Sequence, residues 1–87
     1  MRKIKLSGRE MSVIRSIDLA EGTSGADIQE RTQIPPEDLV DVMNGLLDAG
    51  FLETIPPSEK VEPGKLAETI FETNPAYSTE LRKVTRR

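Results

Sequence analysis

The clearest run of patterned positions is residues 35–52, PPEDLVDVMNGLLDAGFL. Leu39, Val40, Val42, Met43, Leu46 and Leu47 recur at helical spacing. At ~100° per residue they gather on one face about 160° wide. Pro36 suits a first helical position, and Glu37 and Asp38 put negative charge at the positive end of the helix dipole. Gly50 stands where a left-handed C-terminal cap belongs, and Phe51 and Leu52 resume the chain as an apolar extended segment. The pattern predicts a helix over 36–49, buried on one side and delivered directly into a strand.

Upstream, residues 1–6 alternate charged and apolar, so Ile4 and Leu6 form a short strand or dock on the core. Ser7 followed by Glu10 is a capping-box pattern that starts a first helix. Met11, Ile14 and Ile17, widened by Val13 and Ala20, supply its apolar face. Gly22 is the expected end, after about four turns. Ser24 with Asp27 repeats the capping pattern and predicts a short second helix over 25–32, with Ala26 and Ile28 as its apolar contacts. Gln33-Ile34-Pro35-Pro36 then forces a turn, because a residue before proline is biased away from helical geometry. Two helices joined by such a turn form a helix-turn-helix arrangement.

Downstream, FLETI predicts a strand over 51–55 and PSEKVEPGK a polar loop over 57–65. Residues 66–73, LAETIFET, fit either helix or strand. A strand over about 68–73 is preferred, because it gives 51–55 a partner. Asn74-Pro75 then starts a final helix of about 75–84, with Tyr77, Leu81 and Val84 at helical spacing. The expected class is α+β, mostly α. One domain spans 1–87, with a core over about 7–74, a C-terminal helix over 75–84 and a basic tail at 85–87.

Charge changes this picture most. The net value of −3 conceals basic ends and an acidic body. Residues 1–15 sum to +4, residues 80–87 to +3 and residues 16–79 to −10. On the third helix Glu37, Asp41, Asn44 and Asp48 lie together opposite the apolar stripe, and the helix contains no Lys or Arg. Cys and His are absent, which removes disulfides, thiolate metal sites, imidazole general bases and the triads built on them. There is no Gly-rich phosphate loop, since Gly22 and Gly25 are spaced as a helix end and a helix start. No enzyme, metal or cofactor is expected. With no Trp, one Tyr and two Phe, platforms for stacking single-stranded bases are not expected either. No apolar run is long enough to span a bilayer, and the expectation is a cytoplasmic protein with no membrane partner.

The order helix, helix, turn, helix, strand, polar loop, strand, helix, carried by SGADIQERTQIPPEDLVDVMNGLLDAGFLE, resembles the winged helix-turn-helix superfamily. The nearest likeness is to small bacterial regulators of the MarR and ArsR kind. Ile28, Leu39, Val42, Leu46, Leu47, Gly50, Phe51 and Leu52 occupy the places of that pattern, over about residues 7–74. The resemblance implies a three-helix core with a β-hairpin wing. It also implies binding of double-stranded DNA, with the third helix in the major groove and the wing along the backbone or minor groove. Carried over, Asn44 would read an adenine edge. Arg31, Gln33, Lys60, Lys65, Arg82 and Lys83 are the remaining candidate nucleic-acid contacts.

The charge pattern opposes that docking, because phosphate neutralisation supplies most of the affinity in such complexes. The alternative is a protein-interaction module whose acidic helix face, with Glu37, Asp41 and Asp48, takes a basic protein partner. A homodimer through Tyr77, Leu81 and Val84 is a variant of that idea.

Overall fold

The structure, a computed structural model, describes residues 6–17 and 22–85. Helix α1 (Gly8–Ser16) starts on the capping box the sequence predicts. The Ser7 hydroxyl accepts from the Glu10 N–H, and the Glu10 carboxylate accepts from the Ser7 N–H. α1 stops earlier than expected. Ile17 is already extended (φ −87°, ψ 128°) and turns its side chain into the core. The freed Ser16 carbonyl is taken by the Arg31 guanidinium at 2.6 Å, so the short helix ends on a charged cap from another element. Ala20 and Ile4 lie outside the described residues, as do residues 86–87 of the expected basic tail.

A two-residue strand, β1 (Thr23–Ser24), precedes helix α2 (Gly25–Thr32), and Ser24 caps α2 by accepting from the Asp27 N–H. Within α2, Ile28 is fully buried as expected, but Ala26 is exposed. Gly25 makes the contact instead. A β-carbon there would collide with the Leu66 carbonyl oxygen, so only glycine lets the helix start seat against the loop that follows β2. Gln33 adopts the left-handed conformation (φ 61°) and closes α2, and Ile34 drops into the core before Pro35 launches helix α3 (Pro36–Asp48). Gly50 (φ +84°) completes the end of α3. The Gly50 N–H reaches the Leu47 carbonyl and the Phe51 N–H the Leu46 carbonyl, as the apolar-to-extended switch in the sequence required.

Strands β2 (Leu52–Ile55) and β3 (Ile70–Thr73) pair antiparallel, with Leu52 opposite Thr73 and Ile55 opposite Ile70. β1 pairs with the other edge of β3, giving the sheet order β1-β3-β2. β1 carries no two-residue alternation, and its inclusion in a sheet has no signature in sequence. A single 3-10 turn at Pro75–Tyr77, capped by Asn74, leads into helix α4 (Ser78–Thr85). The class is α+β: the described residues form four α-helices and a three-stranded antiparallel sheet.

One hydrophobic cluster draws on every layer. Val13, Ile28, Leu39, Met43, Leu46, Phe71 and Leu81 are fully buried within it. Each such side chain contributes about 1.5–3 kcal/mol relative to an exposed one. Leu81 belongs to the chain's own core and offers no contact for a homodimer, while Tyr77 is half-buried and packs edge-on against Phe51 at 5.2 Å between ring centres. The loop over 57–65 is less uniformly polar in behaviour than in composition. Val61 is buried, a 3-10 turn forms at Pro63–Lys65, and Leu66 follows it into the core. Among the described residues, no helix is long and apolar enough to cross a membrane.

Candidate functional site

The solvent face of α3 is the surface the sequence marks most strongly. Glu37, Asp41 and Asp48 are exposed along it, with Gly45 between them. Asp38, at the edge of that face, is partly neutralised by the Arg9 guanidinium of α1 at 3.1 Å. Both partners are about half exposed, so this pair adds little stability, but it removes Asp38 from the free carboxylates.

Asn44 does not stand free among these acids. Its Nδ2 donates to the Val61 carbonyl at 3.0 Å, and its Oδ1 accepts from the Val61 N–H at 2.7 Å. Both ends of the amide are therefore engaged by one backbone residue. The adenine edge that the resemblance assigned to Asn44 would have to displace this pair. The reason is topological: the segment after β2 folds back over α3 instead of projecting from it. It is braced by the Thr54 hydroxyl on the Pro56 carbonyl at 2.8 Å and by the Ser58 hydroxyl on the Lys60 carbonyl at 2.8 Å. Val61 and Leu66 anchor it from below. Asn44, Leu47, Asp48, Glu59 and Lys60 consequently line one shallow concavity where the loop meets the helix.

The other predicted contacts lie on different elements. Arg31, at the end of α2, donates to Ser16, and the Gln33 side chain donates to the Glu30 carbonyl at 2.6 Å. Lys60 is exposed on the loop, beside Asp48 and Glu59. Lys65 stands 3.8 Å from Glu68 in an exposed pair. Arg82 and Lys83 are exposed on α4, whose contacts run mainly to α1 and to the 3-10 turn before it. The sequence-predicted nucleic-acid residues are thus divided among α2, α3, the β2–β3 loop and α4. The predicted acidic residues Glu37, Asp41 and Asp48 share one helix face.

Sequence reading missed the Asn44–Val61 clamp and the Arg31 cap on α1. The first had one available signal. Val61 and Leu66 are lone apolar residues in a polar stretch, the pattern of a loop tied down at two points. The second had none, because a guanidinium reaching a carbonyl 15 positions upstream leaves no local trace. Among the described residues, no group of three His, Cys, Asp or Glu side chains comes together as a metal site would require. No protein-family model, curated protein or solved structure matches the chain.

Proposed function

We propose that the chain is a winged-helix module that acts by docking a cationic protein segment on the exposed face of α3 and the adjoining loop. The element order supports the winged-helix part of this reading: α1, α2, turn, α3, then two antiparallel strands with a long connection between them, then α4. In that reading residues 56–69 are the wing, folded against α3.

The observation that carries the functional part is the composition of the α3 face. Glu37, Asp41 and Asp48 are exposed with no basic residue on the helix, and the amide best suited to a base edge is held by Val61. A duplex brings one negative charge per ~1.7 Å of its axis, so this face repels it at every register. A segment rich in Lys and Arg meets complementary potential there, which raises its association rate and disfavours acidic competitors.

DNA binding is the second reading, favoured by the same element order and by the exposed Arg82 and Lys83 of α4. In that case the phosphate contacts come from α4 and the basic ends, with α3 turned away from the groove. Charge reversal separates the two readings. Asp41→Lys with Asp48→Lys is expected to abolish binding of a Lys/Arg-rich peptide, measured by fluorescence anisotropy, while leaving the circular-dichroism melt unchanged. Peptide binding unaffected by the reversal contradicts the α3 reading. Tight, salt-sensitive duplex binding by the unmodified chain favours the second.

A further inference from the structure

Gly45 runs against the ordinary composition of a helix. It stands in the middle of α3 on the exposed side, in the row that holds Asp41 and Asp48. Glycine in a helix interior is less stable than alanine, because it loses more backbone freedom on folding. Its use there is explained when another group must approach the backbone closely. Gly25 is such a case within the chain, with the Leu66 carbonyl in the space a β-carbon would need. At Gly45 that space is open: beyond the helix's own backbone and the adjoining residues, no atom of the described residues lies within 4 Å of a β-carbon placed there. The result is a bare saddle between two carboxylates, Asp41 and Asp48, which stand about 10 Å apart along the helix axis.

The charges around the saddle find no counter-charge within the chain. Among the described residues, Glu37, Asp41 and Asp48 form no ion pair, and neither do Arg82 and Lys83, the exposed bases of α4. α4 packs mainly on α1 and on the 3-10 turn before it. Its free side complements the saddle. At ~100° per residue, Thr79, Arg82 and Lys83 fall on the side of α4 opposite Leu81, which is buried in the core. All three are exposed. In the same projection Thr79 lies between the two bases. A small side chain flanked by two cations on α4 thus matches a glycine flanked by two carboxylates on α3.

We infer that a second copy of this chain docks on α3, its α4 crossing at Gly45 with Thr79 over the glycine and Arg82 and Lys83 on Asp41 and Asp48. The side chains at a crossing set how closely two helices pack, and Gly45 opposite Thr79 lets the backbones draw together. Close approach drives water from the two charge pairs, which strengthens them beyond the weak attraction of exposed pairs. Residues 82–87, RKVTRR, hold four bases and no acid, so the chain itself carries a segment of the chemistry assigned to the partner. The contact joins two different surfaces of the same molecule, which makes it heterologous. The inference rests on the reading that α3 takes a cationic protein segment, and it names that segment.

Sedimentation of the full chain at low ionic strength tests this, with the average mass followed against protein concentration. The mass is expected to rise with concentration and to fall back to that of one chain as salt is added. Two charge-reversed variants are compared, Asp41→Lys with Asp48→Lys and Arg82→Glu with Lys83→Glu. Each is expected to stay single alone and to associate with the other when mixed, because mixing restores opposite charges across the contact. Gly45→Gln fills the saddle and leaves the net charge unchanged. It is expected to abolish association while raising the thermal midpoint of the single chain, since glutamine is the better helix former. Misfolding would instead lower that midpoint. A chain that stays single at every concentration, reversed variants that do not associate when mixed, or association that survives Gly45→Gln overturns the inference. Binding of a Lys/Arg-rich peptide by a chain that stays single leaves docking on α3 standing. Loss of peptide binding as well overturns both.

Discussion

Asn44 holds both backbone groups of Val61, its Nδ2 on the carbonyl at 3.0 Å and its Oδ1 on the N–H at 2.7 Å. This single side chain fixes the β2–β3 connection against α3 and decides which surface the two elements present together. Replacing it with alanine leaves a half-buried N–H and C=O unpaired. Asn44→Ala is expected to destabilise the fold by about 1–3 kcal/mol, read as a lower urea midpoint with faster exchange of the Val61 amide. An unchanged Val61 exchange rate would show that the loop is held elsewhere.

Two glycines predict changes of opposite sign. At Gly25 a β-carbon meets the Leu66 carbonyl, whereas at Gly45 it meets no atom of the described residues within 4 Å beyond the helix's own backbone and the adjoining residues. Gly25→Ala is expected to cost about 1–3 kcal/mol through overpacking of the α2–loop contact. Gly45→Ala, in the exposed middle of α3, is expected to gain about 0.5–1 kcal/mol from better helix propensity. Thermal melts of the two variants check both. Equal effects would mean that the close approach at Gly25 is not part of the native packing.

Leu81 is fully buried against the rest of the core. Leu81→Ala is expected to cost about 2–5 kcal/mol in chemical unfolding, with no change in solution mass by sedimentation. A variant of undiminished stability but altered mass would restore Leu81 to a role between subunits.

The two polar devices on α1 differ in worth. The Ser7–Glu10 box satisfies two otherwise unpaired N–H groups, and Ser7→Ala is expected to cost about 1 kcal/mol. The Arg9–Asp38 pair is half exposed, and Arg9→Ala is expected to change stability by less than about 1 kcal/mol. Urea titrations of the two single variants give the comparison directly, and a larger loss for Arg9→Ala would reverse the assignment.

Local signals account for what the sequence made legible. The Ser7 and Ser24 caps, the Gln33–Pro36 turn, the stripe on α3 and the Gly50 cap each act within a few residues. Each therefore leaves a mark in spacing alone. The strand favoured over 68–73 as a partner for 51–55 forms as β3 at Ile70–Thr73, paired with β2. Long-range features were not legible. The cap on the Ser16 carbonyl comes from Arg31, the close contact at Gly25 from Leu66, and the sheet partners of Thr23–Ser24 are Ile70 and Phe71. The same limit applied to the site. The acidic face of Glu37, Asp41 and Asp48 was read from periodicity, but the engagement of Asn44 depends on a residue 17 positions away.

On the reading proposed above, α3 takes a cationic protein segment and not a duplex. The most direct test of that reading is an amide-resolved NMR titration of the full chain with a generic DNA duplex at low salt, repeated at moderate salt. Glu37, Asp41, Asp48 and residues 59–62 are expected not to move at either salt concentration. Shifts at those positions that appear at low salt and vanish as salt rises would contradict it, because that dependence marks phosphate contacts made by this surface.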